Sequence, residues 1–382
     1  MNAPQTGLQP FHAMEILAEA KVLESEGRTI LHLEVGEPAV PPAPQVIEAV
    51  RRALPDAQRY THAKGQRELR EALGQFYHEQ HAVELDPERI AITMGSSAGF
   101  VLAFAAAFQP GATIAVTRPG YPAYLNTLAG LGYKTVEIGL DAASGWRLSA
   151  AEIEVAHQQT PFEGLLFASP ANPTGAAVDR AALRAIAQTC TRLGVRLISD
   201  EIYHRLDYRA PSVSALEVTD DAVVINSFSK YYCMTGWRVG WMVLPPDLVR
   251  RTEMLAQNLF ISAPTLSQIG AEAALGATAY YEQQKQHYAQ NRQLLMAGLR
   301  DLGFSLPGAP EGAFYAYADA SRFTNDTMSF CTALLREAGI ASAPGLDFDR
   351  TDGNRFVRFS YAGSRETIER ALERMAEYLP RF

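Results

Sequence analysis

Between Arg89 and Asp200 short apolar runs alternate with helical stretches, and this alternation restricts the possible folds more than any other feature of the chain. The runs are Ile90 to Thr93, Thr113 to Val116, Thr135 to Ile138, Leu165 to Ala168 and Arg196 to Ser199. Each has the length and apolar character of a strand, and a turn and a longer segment of helical spacing separate it from the next. Strands joined through helices run parallel, because only a crossover brings the chain back to start a second strand in the same direction. The sequence therefore predicts an α/β fold: a three-layer large domain with a mostly parallel sheet covered by helices. Sheets of this kind bind ligands beyond the carboxyl ends of their strands. Ser96, Tyr121, Asn172, Asp200 and Lys230 all fall at or just after such ends, so one pocket can gather them.

Beyond about Ala277 the pattern changes. A long polar helix reaches about Leu302. It is followed by apolar runs at Phe304 to Leu306 and Phe314 to Ala318, a helix from about Asp326 to Ala338, a strand Phe356 to Ser360 and a last helix from Ser364 to Leu379. This reads as a smaller α+β domain, and 382 residues, 47% of them hydrophobic, suffice for two cores. The net charge of -8 leaves no basic footprint for nucleic acid. Apolar runs such as Gly99 to Phe108 are too short to span a bilayer, and Met1 to Pro10 has no charged-then-apolar leader. Cys190, Cys233 and Cys331 form an odd, scattered set that suits reduced cytoplasmic thiols and no metal cage.

Four segments carry chemistry. In Ser227-Phe228-Ser229-Lys230, a primary amine follows the apolar run Ala222 to Asn226, with hydroxyls before it and the guanidinium of Arg238 after it. Amine, hydroxyls and arginine together suit an aldehyde that also carries a phosphate, although a lone lysine in a loop is ordinarily a solvated one. In Ser169-Pro170-Ala171-Asn172-Pro173-Thr174-Gly175, flanking prolines fix the backbone and aim the Asn172 amide, or else simply make a turn before the helix from Val178 to Leu193. Asp200 closes a strand and reads either as a site carboxylate or as a helix cap. Gly95-Ser96-Ser97-Ala98-Gly99 leads from a strand into an alanine-rich helix, Ala98 to Phe108, whose N-terminus would attract an anion. The same five residues fit the G-x-S-x-G elbow of an α/β-hydrolase with Ser97 as nucleophile. His157, His204 and His287 are available to that reading, but no His-Gly-Gly segment precedes the turn.

Taken in order, these segments resemble the pyridoxal phosphate-dependent aminotransferases of class I/II, the family with the aspartate aminotransferase fold (fold type I). The resemblance runs from Gly36-Glu37-Pro38 to Arg358, nearly the whole chain. It implies that Lys230 condenses with the aldehyde of pyridoxal 5'-phosphate and afterwards moves the substrate's α proton. Asp200 would pair with the pyridine nitrogen, Tyr203 and Asn172 would hydrogen-bond the phenolic oxygen, and Tyr121 would stack on the ring. Gly95, Ser96 and Ser97 would cradle the phosphate, with Ser227 and Arg238 closing the cradle. Arg358 would grip the substrate's α-carboxylate beside the backbone N–H of Gly36. Tyr60 would reach the phosphate of a neighbouring subunit, which implies a homodimer with shared sites.

The resemblance also joins residues 1–43 to the small domain, leaving 44–276 as the cofactor-binding domain and 277–382 as the rest of the small one. The implied activity moves an amino group between an L-amino acid and a 2-oxo acid. The same architecture also supports a C–S lyase. Regulators that sense this cofactor carry a helix-turn-helix domain, for which the chain has no room.

Overall fold

A computed structural model describes residues 7–381. The reading of Met1 to Pro10 as free of a leader falls mostly on residues 1–6, which lie outside the described residues. The strands run in chain order as β1 (Leu31–His32), β2 (Ile90–Thr93), β3 (Thr113–Arg118), β4 (Lys134–Gly139), β5 (Gly164–Ala168), β6 (Arg196–Asp200), β7 (Val223–Ser227), β8 (Gly240–Val243), β9 (Tyr315–Asp319), β10 (Ile340–Ala341), β11 (Ala343–Pro344) and β12 (Phe356–Ser360).

Seven of them form one sheet in the order β2-β8-β7-β6-β5-β3-β4. Only β8 runs against its neighbours. The central strands β5 and β7 are mainly apolar and buried on both faces, as helices covering a parallel sheet require, and polar residues enter β7 only at its carboxyl end. The edge strand β4 instead turns Lys134 and Glu137 outward, and charge on an edge discourages further pairing. Helix ends follow local chemistry. The helix Arg180–Leu193 starts where the Asp179 carboxylate accepts from the Ala182 N–H at 2.8 Å, and stops at Gly194 in the left-handed region.

The reversed β8 fixes where the ligand-binding edge can draw residues from. Because it is antiparallel, its first residue lies at the edge where β2 and β7 end. The turns after β2 and β7 and the segment just before β8 thus meet, which brings Gly95, Lys230 and Arg238 together from distant parts of the sequence. This strand was not among those the sequence pattern predicts, since its four residues, Gly240-Trp241-Met242-Val243, carry no alternation.

The remaining strands form two smaller sheets. β11, β12 and β9 are antiparallel in that order, with Arg358 opposite Tyr317, and β1 pairs in parallel with β10. Leu33 continues the latter contact, accepting from the Ser360 N–H at 2.7 Å, so the N-terminal segment is hydrogen-bonded to residues near the C-terminus. The expected helix from Asp326 to Ala338 is α-helical only over Thr327–Ala333 and widens to a π-helix over Leu334–Ala338. Phe304 to Leu306 makes no strand, only a bridge between Ser305 and Asp319. No helix among the described residues is long and apolar enough to cross a membrane.

Candidate active site

The strand ends enclose a cavity of about 300 Å³, and most of the residues singled out from sequence line it: Gly36, Ser96, Ser97, Tyr121, Asn172, Asp200, Tyr203, Lys230, Arg238 and Arg358. Lys230, in the loop after β7, donates from Nζ to the Gly36 carbonyl at 2.6 Å. Burial, together with the nearby Arg358 and Arg238 charges, lowers its pKa to about 8 against the opposing pull of Glu37 and Asp200. About a tenth of the amine is therefore uncharged at pH 7, far more than for an ordinary lysine. Gly36 is held to glycine by close approach, because a Cβ there would lie 1.7 Å from the Tyr315 hydroxyl.

Asp200 ends β6 fully inside the protein. Its Oδ2 accepts from the Tyr124 hydroxyl and its Oδ1 from the Ile202 N–H at 3.0 Å. Desolvation nonetheless raises its pKa to about 6, the behaviour of a carboxylate that lacks a full counter-charge. A cation facing it would restore the ionised form.

Across the cavity Arg358 is also buried. It donates from Nη1 to Asn172 Oδ1 at 3.0 Å and from Nη2 to the Glu34 carbonyl, while its Nε has no partner. Its guanidinium is sandwiched between the rings of Tyr315, 4.4 Å away, and Phe348, 4.7 Å away. Stacking on two aromatic faces holds the planar fork in one orientation. With the Asn172 oxygen accepting from Arg358, the N–H groups of that amide remain to donate to a ligand. The Tyr203 hydroxyl lies 2.8 Å from that of Tyr315, and burial pushes its pKa well above the ordinary value, so it stays protonated as a donor.

The anion cradle begins where β2 ends. The helix expected from Ala98 starts at Gly95, so Gly95, Ser96 and Ser97 form its first turn and their unpaired N–H groups face outward. Gly95 has φ +73°, and a Cβ there would lie 2.5 Å from Arg238 Nη2. The guanidinium therefore sits directly over the helix start, and a cation above free N–H groups is a donor set for a phosphate.

Two expected ligands lie elsewhere. Ser227 is buried behind the cavity wall, its Oγ bonded to Ser229 Oγ at 2.9 Å and to the Val239 carbonyl at 3.2 Å, and Ser229 lines the cavity in its stead. Tyr60 is 81% exposed and lies outside the cavity of its own chain. Tyr124 and Tyr315 were missed by sequence reasoning. Tyr124 follows Tyr121 by one helical turn, and that spacing was a usable signal, but Tyr315 reaches Arg358 only through strand register. No histidine lines the cavity beside Ser97 among the described residues, which removes the geometry a hydrolase triad needs.

A buried amine opposite a carboxylate, flanked by a guanidinium-roofed anion cradle and a second, stacked guanidinium, lies here at the strand ends of an α/β sheet. That is the site architecture of the fold type I transferases. The sequence model for "Aminotransferase class I and II" matches residues 28–375. A valine–pyruvate aminotransferase of Mycobacterium tuberculosis is 42% identical, with 99% of this chain and 98% of that protein aligned. A crystal structure of an aminotransferase from Mycobacterium tuberculosis superposes with TM-score 0.96 at 42% identity over 100% of both chains. The Thermus thermophilus aspartate aminotransferase with maleate gives 0.92 at 30% identity over 99% of each. The chain belongs to the class I and II aminotransferases and is an amino-group transferase, of a family that depends on pyridoxal phosphate.

Proposed function

We propose that the chain transfers the amino group of a neutral aliphatic L-amino acid to a 2-oxo acid, using pyridoxal phosphate bound to Lys230. The observation that carries this is the count of positive groups in the cavity: among its lining residues these are Lys230, Arg238 and Arg358 only. Lys230 holds the aldehyde, Arg238 with the Gly95 to Ser97 turn holds the phosphate, and Arg358 holds the α-carboxylate, so no cation of this chain remains for a side-chain carboxylate. The lining also includes an apolar set, Phe11, Ala13, Met14, Leu17 and Val35, suited to an aliphatic side chain. The relative named for valine and pyruvate supports the same substrate class.

Bound pyridoxal phosphate supplies an aldehyde that exchanges amines and a ring that takes up the electron pair left when the α proton departs. The chain's residues do the rest. Arg358 orients the amino acid by a two-pronged grip on its carboxylate, which turns the α C–H toward Lys230. Lys230, with a pKa lowered to about 8, is a base near working pH once its nitrogen is free. Asp200 would keep the ring nitrogen protonated, Tyr203 and Asn172 would donate to the phenolic oxygen, and Tyr121 would cover the ring.

A panel of single amino acids tests the substrate class. With pyruvate as acceptor, valine and similar apolar donors should yield alanine, and aspartate should be turned over at least about tenfold more slowly, since a buried unpaired carboxylate costs more than one kcal/mol. Preference for aspartate would overturn this reading.

We further infer a homodimer with sites shared between chains, and a division into residues 1–43 with 277–382 against 44–276. The buried, unpaired state of Cys190, Cys233 and Cys331 favours a cytoplasmic setting. Tyr60 supports the dimer. Its loop is pinned, with Thr265 Oγ1 donating to the Arg59 carbonyl at 2.9 Å and Gln268 Nε2 to Thr61 Oγ1 at 2.8 Å, yet the ring projects into solvent. A fixed, exposed aromatic is suited to a site on another chain. Mixing Lys230→Ala and Tyr60→Phe chains, then unfolding and reassembling them, should create dimers in which one site has both residues intact. Such mixtures should turn over faster than the average of the two parents. Activity at the parents' average would mean that Tyr60 serves no partner.

A further inference from the structure

The helix His12–Ser25 forms part of the cavity's wall: Ala13, Met14 and Leu17 line it, as does Phe11, the residue just before the helix. Nothing in the helix's own sequence caps its start, since the N-cap residue is Phe11 and makes no side-chain bond. The free N–H groups are met by a residue far away in sequence. Asp347 Oδ1 accepts from the His12 N–H at 2.9 Å and Oδ2 from the Ala13 N–H at 2.8 Å, so one buried carboxylate takes the first two donors of the helix.

The segment carrying Asp347 is itself tied to two other walls of the cavity. The adjacent Phe348 lies under the Arg358 guanidinium at 4.7 Å, and its carbonyl accepts from the N–H of Gly120, the neighbour of Tyr121, at 2.9 Å. Asp349 accepts from Arg118 Nη1 at 3.2 Å. Phe11 in turn meets Tyr121 edge-on, with ring centroids 6.2 Å apart. The helix, the carboxylate-binding arginine and the ring-covering tyrosine are therefore set relative to one another through residues 347–349.

We propose that Asp347 is a positioning residue for substrate specificity: by fixing the start of the His12–Ser25 helix against the segment that supports Arg358, it sets the depth of the pocket for the substrate side chain. The inference rests on the reading that an apolar side chain lies beneath this helix. A donor as short as alanine leaves that part of the pocket empty, whereas valine fills it. Loosening the helix should therefore penalise valine and spare alanine.

The test uses cofactor-loaded wild type, Asp347→Ala and Asp347→Asn, with the half-reaction rate measured against donor concentration for valine and for alanine. Asp347→Ala should lower the valine-to-alanine ratio of kcat/KM by about fivefold or more, the scale of a lost helix cap, chiefly through KM for valine. Asp347→Asn keeps one acceptor oxygen and should fall between. Hydrogen exchange of the amides at 12 and 13 should lose protection in Asp347→Ala and part of it in Asp347→Asn. An equal loss for both donors would make Asp347 merely structural. An unchanged ratio, with or without lost protection, would overturn the proposal while leaving the substrate class standing. Refusal of every apolar donor by the wild type would instead sink the substrate class and this inference with it.

Discussion

Lys230→Ala should lower turnover by roughly 10⁴-fold or more, because the substitution removes the amine proposed both to anchor the cofactor and to move the α proton. The fold should survive, since the side chain makes a single hydrogen bond, to the Gly36 carbonyl, and lies at the edge of a cavity. Lys230→Arg sharpens the test. It keeps the positive charge among Asp200, Glu37 and Arg358 but cannot shed a proton at working pH, so it should be as inactive as the alanine variant. Borohydride treatment of wild type should fix the cofactor's mass on the peptide containing Lys230, and neither variant should retain it. A thermal melt near that of wild type, combined with that loss, would separate chemistry from folding. Turnover by either variant within tenfold of wild type would remove Lys230 from its assigned role.

The strand-end residues were legible in the sequence because two local signals coincide there: an apolar run stops, and a polar residue follows inside a turn. Tyr121, Asn172 and Lys230 obey that rule, Asp200 closes its strand one step earlier, and a sheet with parallel strands turns these positions into a common edge. Arg238 is different. It reaches the cradle only because β8 runs backward between β2 and β7, and no property of Gly240 to Val243 announces that direction. Ser227 and Ser229 illustrate the limit of reading by spacing. Both hydroxyls precede Lys230, but Ser227 is the last residue of β7 and bonds the Val239 carbonyl, whereas Ser229 lies in the turn beyond the strand, where spacing no longer sets the direction of a side chain. Tyr315 and Asp347 were illegible for a further reason. Their function arises from partners hundreds of positions or a sheet register away, and neither stands in a pattern that marks it. The helix start at Gly95 was misjudged by a few residues, which matters here because it turns the cradle from a loop before a helix into the first turn itself.

Exchange of Asp200 for asparagine should slow the half-reaction by roughly two orders of magnitude or more, the consequence of removing a buried charge partner worth several kcal/mol. The variant is nearly isosteric and can still accept from the Tyr124 hydroxyl or the Ile202 N–H, so the loss would report charge more than packing. The direction follows from electrostatics. Burial holds the carboxyl at about 6 even with the Lys230 amine nearby, and a protonated ring nitrogen would pull it further down and be held protonated in return. An amide offers no charge, so the ring nitrogen would lose its proton and the ring much of its power to accept electrons. The same reasoning gives a pH signature for capture of the cofactor by the free chain. Capture should quicken as pH rises through about 6, where Asp200 ionises, and again through about 8, where Lys230 becomes a free amine. In Asp200→Asn the part of the lower rise that belongs to the carboxylate should vanish and the upper one remain, whatever the ligand's own groups contribute. Half-reaction rates within twofold of wild type, or an unaltered lower limb in the capture profile, would mean that Asp200 is not the ring's partner.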